Sequence, residues 1–250
     1  MERLSLAISA VLYLASFFLR YRRHRRLPAQ WLLIAAVIIH SLALAARSYT
    51  AKHPPFTNLY ETLMLLSFLL AVRLIVSGRR IPQAAMPGLT GCAAVLNLAA
   101  WLLPVALRTP RPLMPALNSI WMAIHVPAYF YGYMALLFAG TYSLLLLLRG
   151  KPVPELGGYI DAEVGIAFFS LNAGLLSGAI WAYQSWGNYW AWDPKETWAL
   201  INILILGFYF HLRRPTPFKK ALLVLIALLS VIFTYWGVSF ILRGLHSYTG

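Results

Sequence analysis

Eight apolar runs, each long enough or nearly long enough to cross a bilayer, constrain this chain more than any other feature. They cover about residues 4–19, 31–46, 59–76, 84–103, 124–148, 164–183, 197–212 and 221–238 of the 250. Hydrocarbon offers no partner to a backbone N–H or C=O, so a crossing segment must close its hydrogen bonds internally. Runs of this length do so as α-helices. Hydrophobic residues make up 60% of the sequence and charged residues only 11%, which excludes an ordinary soluble domain. The predicted fold is all-α: a single polytopic transmembrane domain over 1–250, with about eight transmembrane helices. The first, second and seventh runs fall short of about twenty residues, so snorkelling ends or local thinning are expected there.

The net charge of +14 could suggest a nucleic-acid partner. The basic residues, however, sit in short loops between apolar runs, which is a topology signal and implies no nucleic acid. Thirteen lysines and arginines fall on one side: the 20–26 cluster, Arg79, Arg80, Arg149, Lys151, Arg213, Arg214, Lys219 and Lys220. Seven fall on the other: Arg3, Arg47, Lys52, Arg108, Arg111, Lys195 and Arg243, with Arg73 inside a span. This bias places both termini outside the cytoplasm after eight crossings, and the expected membrane is the cell's inner (plasma) membrane. The first run leads into arginines and not into a small-residue cleavage site, so it reads as a retained helix. A lone cysteine, Cys92, excludes a disulfide framework and a CxxC redox or zinc site.

Between the sixth and seventh runs lies Trp186-Gly187-Asn188-Tyr189-Trp190-Ala191-Trp192-Asp193-Pro194-Lys195-Glu196-Thr197-Trp198. A connecting loop needs only polar and turn residues, whereas this one carries a wide aromatic surface. Five of the nine tryptophans fall in 181–198, counting Trp181, and only Trp31 lies on the opposite side of the predicted membrane. An aromatic belt decorates both interfaces, so the lopsidedness favours a site over a belt or simple packing. Indole walls suit a planar macrocycle, and their N–H groups can reach its carboxylates. Asp193-Pro194-Lys195-Glu196 reads as a capping box with proline at the first helical position. A capped helix start beside the tryptophans is also a weak anion site, with Lys195 as a further cation.

Histidines decide whether the planar ligand contains iron. The predicted topology puts His125 at the start of the fifth run and His246 after the last, both on the face of the tryptophan loop. Two neutral imidazoles would make a six-coordinate haem site. His40, inside the second run, reads as an interhelical hydrogen-bonding group ahead of a ligand. His211 reads as an interfacial side chain beside Arg213, and His24 and His53 as loop residues. Residues 47–60 read as a rigid turn feeding the third helix, and 104–119, with four prolines, as a structured non-helical segment.

The ordered set of segments resembles the tryptophan-rich WWD family of membrane haem-handling proteins in cytochrome c assembly. The Asp193–Trp198 continuation is similar to its CcsA (ResC) branch and differs from CcmC and CcmF. Similarity extends over about residues 38–250. It includes the stretch His53 to Glu61, Pro115 through His125, Gly178 to Trp181, Tyr209 to Arg213, and Gly244 to Tyr248. The resemblance implies haem b as substrate, held at an external site by His125 and His246, with Trp181, Trp186, Trp190, Trp192, Asp193 and Trp198 around it. It implies a transit role for His211 and no bond-making catalytic groups of the chain's own. Its implied partners are a CcsB (ResB)-type membrane protein, apocytochrome c with a CxxCH motif, a thiol reductant system and membrane lipid. The implied function is that of a subunit of the system II holocytochrome c synthase. A CcmC-like haem exporter that hands haem to a chaperone is the alternative, and a haem-free structural subunit the third.

Overall fold

The computed structural model describes residues 1–22, 26–150, 153–213 and 215–242. Among these, the regular elements are helices, with one over each apolar run. The long elements are α1 (Glu2–Tyr21), α2 (Arg26–Ala51), α3 (Leu59–Val76) and α4 (Met86–Leu102). They continue as α5 (Ile120–Arg149), α6 (Pro154–Trp186), α7 (Pro194–His211) and α8 (Pro217–Ile232). Six of these, α1, α2, α3, α5, α6 and α8 with its continuation to Gly237, are long and apolar enough to cross a membrane. Helix α4 is a shorter apolar helix of 17 residues. The chain is thus an all-α, polytopic membrane protein. It divides into two compact units, Met1–Leu117 and Asn118–Gly250.

In the first unit α1 packs on α2 and α4, and α3 on α4 and α2. Lipid leaves little hydrophobic drive between helices, so close packing of small residues and interhelical hydrogen bonds hold them together. Ala10, Ala36, Ala43 and Ala93 are buried in this unit, as are Leu33, Met64, Leu70 and Leu89. Ser16 Oγ donates to the Ala29 carbonyl at 2.8 Å, and Ser67 Oγ to the Ala93 carbonyl at 2.8 Å. At the centre His40 Nδ1 lies 3.2 Å from the Tyr13 hydroxyl and 3.2 Å from Asn97 Nδ2, which also donates to Ser9 Oγ at 3.1 Å. All four residues are fully buried. His40 is therefore an interhelical hydrogen-bonding hub.

One end of this unit is closed by a buried polar cap. Asn58 caps α3 by accepting from the Glu61 N–H at 3.0 Å. Glu61 then takes Arg47 Nε at 2.9 Å and the Thr57 N–H and hydroxyl, each at 2.9 Å. Arg47 Nη1 donates on to the Arg108 carbonyl at 2.7 Å. The expectation that Arg47 is a loop cation gives way here: it lies inside α2, 1% exposed, because Glu61 neutralises it. His53 is in a loop as expected, yet it is buried, with its ring nitrogens 2.9 Å from the Pro54 carbonyl and 3.1 Å from the Arg111 carbonyl. The proline-rich segment forms one helical turn, Val105–Arg108, an extended stretch and a 3-10 turn, Pro115–Leu117.

The second unit is built on α5 and α6, which pack along much of their length, with α8 against α5 and α7 against both α8 and α6. Ser119 caps α5, and Gly150 ends it in the left-handed conformation (φ +66°) that a Cβ disfavours. Gly187 ends α6 in the same way (φ +80°). Buried Asn202 donates to the Thr234 hydroxyl at 2.8 Å, tying α7 to the π-turn Phe233–Gly237 that continues α8.

Candidate functional site

The chain enters the tryptophan loop where α6 stops at Gly187 and leaves it where α7 starts at Pro194. The predicted capping box is present. The Asp193 carboxylate accepts from the Lys195 N–H at 2.9 Å, and Glu196 Oε2 reaches back to the Asp193 N–H at 3.2 Å. Glu196 Oε2 also accepts from the Ala191 N–H at 2.8 Å, so one carboxylate fixes the backbone on both sides of Trp192. Trp192 itself takes φ +57°, a left-handed conformation that costs an L-residue about 1–2 kcal/mol. Burial lowers the Lys195 ammonium below the ordinary lysine range, and the Asp193 carboxylate acts in the opposite direction.

The tryptophans divide into three groups. Trp181 is 1% exposed and meets Trp186 edge-on with centroids 4.8 Å apart. Trp190 and Trp192 stand perpendicular at 5.7 Å, and Trp192 is 70% exposed. Trp198, at the start of α7, packs on Phe233 at 4.6 Å. Tyr189 stacks flat on Tyr183 at 4.3 Å, with 6° between the rings. The loop therefore presents an open aromatic edge, from Tyr189 to Trp192, above a buried aromatic base.

His125 joins that base. Its ring lies nearly parallel to Trp181, 28° apart with centroids at 6.1 Å, and meets Tyr129 edge-on at 4.9 Å. Its Nδ1 is 2.8 Å from the Gly174 carbonyl. A carbonyl only accepts, so Nδ1 carries the proton and Nε2 carries the lone pair of the neutral ring. That tautomer, set by a hydrogen bond from the other nitrogen, is the usual arrangement of a metal-ligating histidine. The ring comes this close because α6 offers glycine. A Cβ on Gly178 would lie 2.4 Å from His125 Nδ1, and one on Gly174 would lie 2.6 Å from the Tyr129 ring. Gly174 and Gly178, four apart on one face of α6, form the seat for His125 and Tyr129, four apart on α5. The small-xxx-small spacing is the signal that would have singled out this pair from sequence.

His211 is the last residue of α7 and is exposed. Its Nδ1 is 2.8 Å from the Gly207 carbonyl, so that nitrogen donates. His211 stands at the far end of the 18-residue helix from Pro194, about 25 Å along the axis, so it is not part of the loop site. His246 lies outside the described residues, as does His24. The structure thus brings together His125, Trp181 and Trp186 at the α5–α6 contact. Trp190, Trp192 and Asp193 follow on the loop, Trp198 faces α8, and His211 stands at the other end of α7.

The sequence matches the family described as Cytochrome C assembly protein over residues 1–246. The cytochrome c biogenesis protein CcsA of Chlamydomonas reinhardtii is 34% identical across 83% of this chain, which spans 64% of that protein. CcsA of Synechococcus sp. (strain CC9902) is 31% identical across 87% of this chain and 85% of its own length. Protein NrfI of Wolinella succinogenes is 32% identical across 87% of this chain, which spans 25% of NrfI. A match across nearly every residue, over helices in this order and a tryptophan loop in this place, makes the chain a member of the cytochrome c assembly protein family, of the CcsA type.

Proposed function

We propose that the chain is the haem-transporting and haem-presenting subunit of a system II cytochrome c synthase, active together with a CcsB-type membrane partner. The tryptophan loop and both termini face away from the cytoplasm in this reading, and the membrane is the cell's inner membrane. Haem b is the cargo. It passes His211 on its way from the cytoplasmic side and is held at the loop by His125 and His246. The observation that carries the reading is the imidazole of His125. It lies nearly parallel to Trp181, and its Nδ1 is held 2.8 Å from the Gly174 carbonyl, the kind of orienting hydrogen bond that a ligating histidine uses.

The chain's residues orient the cargo and supply no bond-making group. The open edge from Tyr189 to Trp192 gives the macrocycle an apolar face, and the cap held by Asp193 and Glu196 keeps that edge in place. Holding both vinyl groups where a docked CxxCH segment can reach them converts an encounter of three parts into an oriented one. Each cysteine S–H adds across one vinyl C=C, with sulfur bonding to one carbon and hydrogen to the other, so the attachment needs no oxidant. A thiol reductant system keeps the two cysteines as thiols beforehand. The histidine of CxxCH replaces one axial imidazole as the product leaves.

The test combines the purified chain and its CcsB-type partner with reduced haem and a CxxCH peptide. Thioether formation is read from the shifted pyridine haemochrome band and the peptide mass. Covalent product that disappears with His125→Ala and with His246→Ala supports the synthase. Haem transferred to a chaperone with no covalent product supports the exporter instead. Normal product from the double replacement, or a preparation from haem-replete cells without a Soret band, rejects the haem site.

A further inference from the structure

A cavity of about 410 Å³ opens in the second unit, at the opposite end of α7 from the tryptophan loop. It lies between the last turns of α5 and α7 and the first turns of α6 and α8, and most of its wall is apolar, with Leu146, Val153 and Ile160 prominent. Gly157 and Gly158 also line it, and a Cβ at either would meet nothing within 4 Å. Three polar groups converge at its edge. The Tyr209 hydroxyl donates to the Asp161 carboxylate, and Lys220 Nζ lies 2.8 Å from the same oxygen, Asp161 Oδ1. The Lys220 ammonium also sits 5.1 Å from the centre of the Tyr209 ring.

Asp161 therefore gathers two donors, one cationic and one phenolic, onto a single point at the mouth of an apolar chamber. Its own hold on them is replaceable. The Asp161 and Lys220 side chains are 49% and 29% exposed, and an ion pair that solvated contributes little. Tyr209 is 3% exposed, so its hydroxyl needs an acceptor whenever Asp161 swings away. The surroundings favour an anion in that place. The segments at this end carry Arg149, Arg213, Lys219 and Lys220 against Glu155 and Asp161. The negative ends of α5 and α7 at the same place offset the positive ends of α6 and α8, so the cationic side chains carry the sign.

We propose that this cavity receives the acid head of a membrane amphipath, a carboxylate or a phosphate. Lys220 and Tyr209 act as its donors, and Asp161 is the group it displaces. Haem supplies such a head in its propionates, and to that extent the inference rests on the proposed function. An anionic phospholipid supplies the same chemistry without it.

The experiment uses the full chain in phosphatidylcholine nanodiscs. Two porphyrin probes, ferric protoporphyrin IX and its dimethyl ester, are titrated by the Soret band. A third probe, phosphatidylglycerol, is followed by native mass spectrometry. Lys220→Met weakens binding of the responding acid by about tenfold and Tyr209→Phe by a few-fold, while Lys220→Arg restores it and the ester is unaffected. Asp161→Asn, which removes the competing carboxylate, strengthens the same acid by a few-fold. A response confined to protoporphyrin IX identifies haem, and one confined to phosphatidylglycerol identifies lipid. Wild-type chain that binds neither porphyrin, yet loses phosphatidylglycerol with Lys220→Met, refutes the haem function and leaves the cavity assignment standing. Equal loss of acid and ester, indifference of both acids to Lys220→Met, or weaker acid binding in Asp161→Asn overturns it.

Discussion

Gly178→Ala adds one methyl group and tests whether the packing of α5 on α6 sets the His125 imidazole. The new Cβ would lie 2.4 Å from Nδ1 and 2.6 Å from Cε1. An ordinary contact between such atoms is about 3.5 Å, so the ring must retreat by about 1 Å. The hydrogen bond to Gly174 is made by the same nitrogen at 2.8 Å, and such a retreat carries it to about 3.8 Å, out of range. The Gly174 carbonyl keeps the Ser177 hydroxyl at 3.1 Å, so it is not left bare. The lost hydrogen bond costs about 1 kcal/mol and the overpacking about 2 kcal/mol, offset by about 1 kcal/mol from replacing glycine within a helix. Net destabilisation is about 2 kcal/mol, a modest fall in thermal midpoint. On the proposed function the effect on haem is larger than stability alone would give, because a metal ligand that loses its orienting partner loses about 10–100-fold in affinity. Soret titration of the purified chain reads the affinity, and a thermal melt reads the stability. Gly165→Ala is the control: a Cβ there meets nothing within 4 Å, so both readings stay near wild type. Wild-type haem affinity and spectrum in Gly178→Ala would refute the claim that the glycine seat positions His125.

Three further outcomes follow from the geometry. Trp192→Gly relieves the left-handed backbone at φ +57° and raises stability by about 1 kcal/mol in a melt, while haem retained through size-exclusion chromatography falls because the open aromatic edge is gone. Asp193→Ala removes the cap of α7 and lowers stability by about 1 kcal/mol, whereas Asp193→Asn, an equally good cap, stays near wild type in the same melt. Arg47→Met leaves the Glu61 carboxylate buried without its cation and costs about 3–5 kcal/mol, and adding Glu61→Met recovers most of that in a double-mutant cycle.

Features that depend on neighbours along the chain were legible in the sequence. The helix positions follow from the apolar runs, and the capping box at Asp193 and Glu196 needs only residues three apart. His40 could be read as a hydrogen-bonding group because an imidazole inside lipid must find a partner. Features that depend on distant backbone were not legible. His53 looks like any loop histidine until the Arg111 carbonyl, 58 residues away, closes over it. Arg47 looks like a loop cation until Glu61 meets it across two helices. The glycine seat stands between the two kinds: the four-residue spacing of Gly174 and Gly178 is a local signal, but that it receives His125 and Tyr129 follows only from the way α5 lies on α6.

The tryptophans illustrate why composition alone does not define a site. Five indoles within eighteen residues suggest one continuous wall, yet a chain that ends a helix at Gly187 and starts another at Pro194 must turn between them. Trp181, still on α6, lies against His125 and meets Trp186, whereas Trp190 and Trp192 stand on the loop beyond Gly187 and Trp198, already on α7, packs on Phe233. Whether Asp193 is a helix cap or a functional residue is then a false choice. The capping box holds the Ala191 and Asp193 N–H groups, and those two residues flank Trp192. A loop left to itself would surrender the strained, exposed indole to a more populated conformation. The cap is what keeps the aromatic edge facing outward, so a change that weakens the helix start must also move the surface on which a planar ligand would rest.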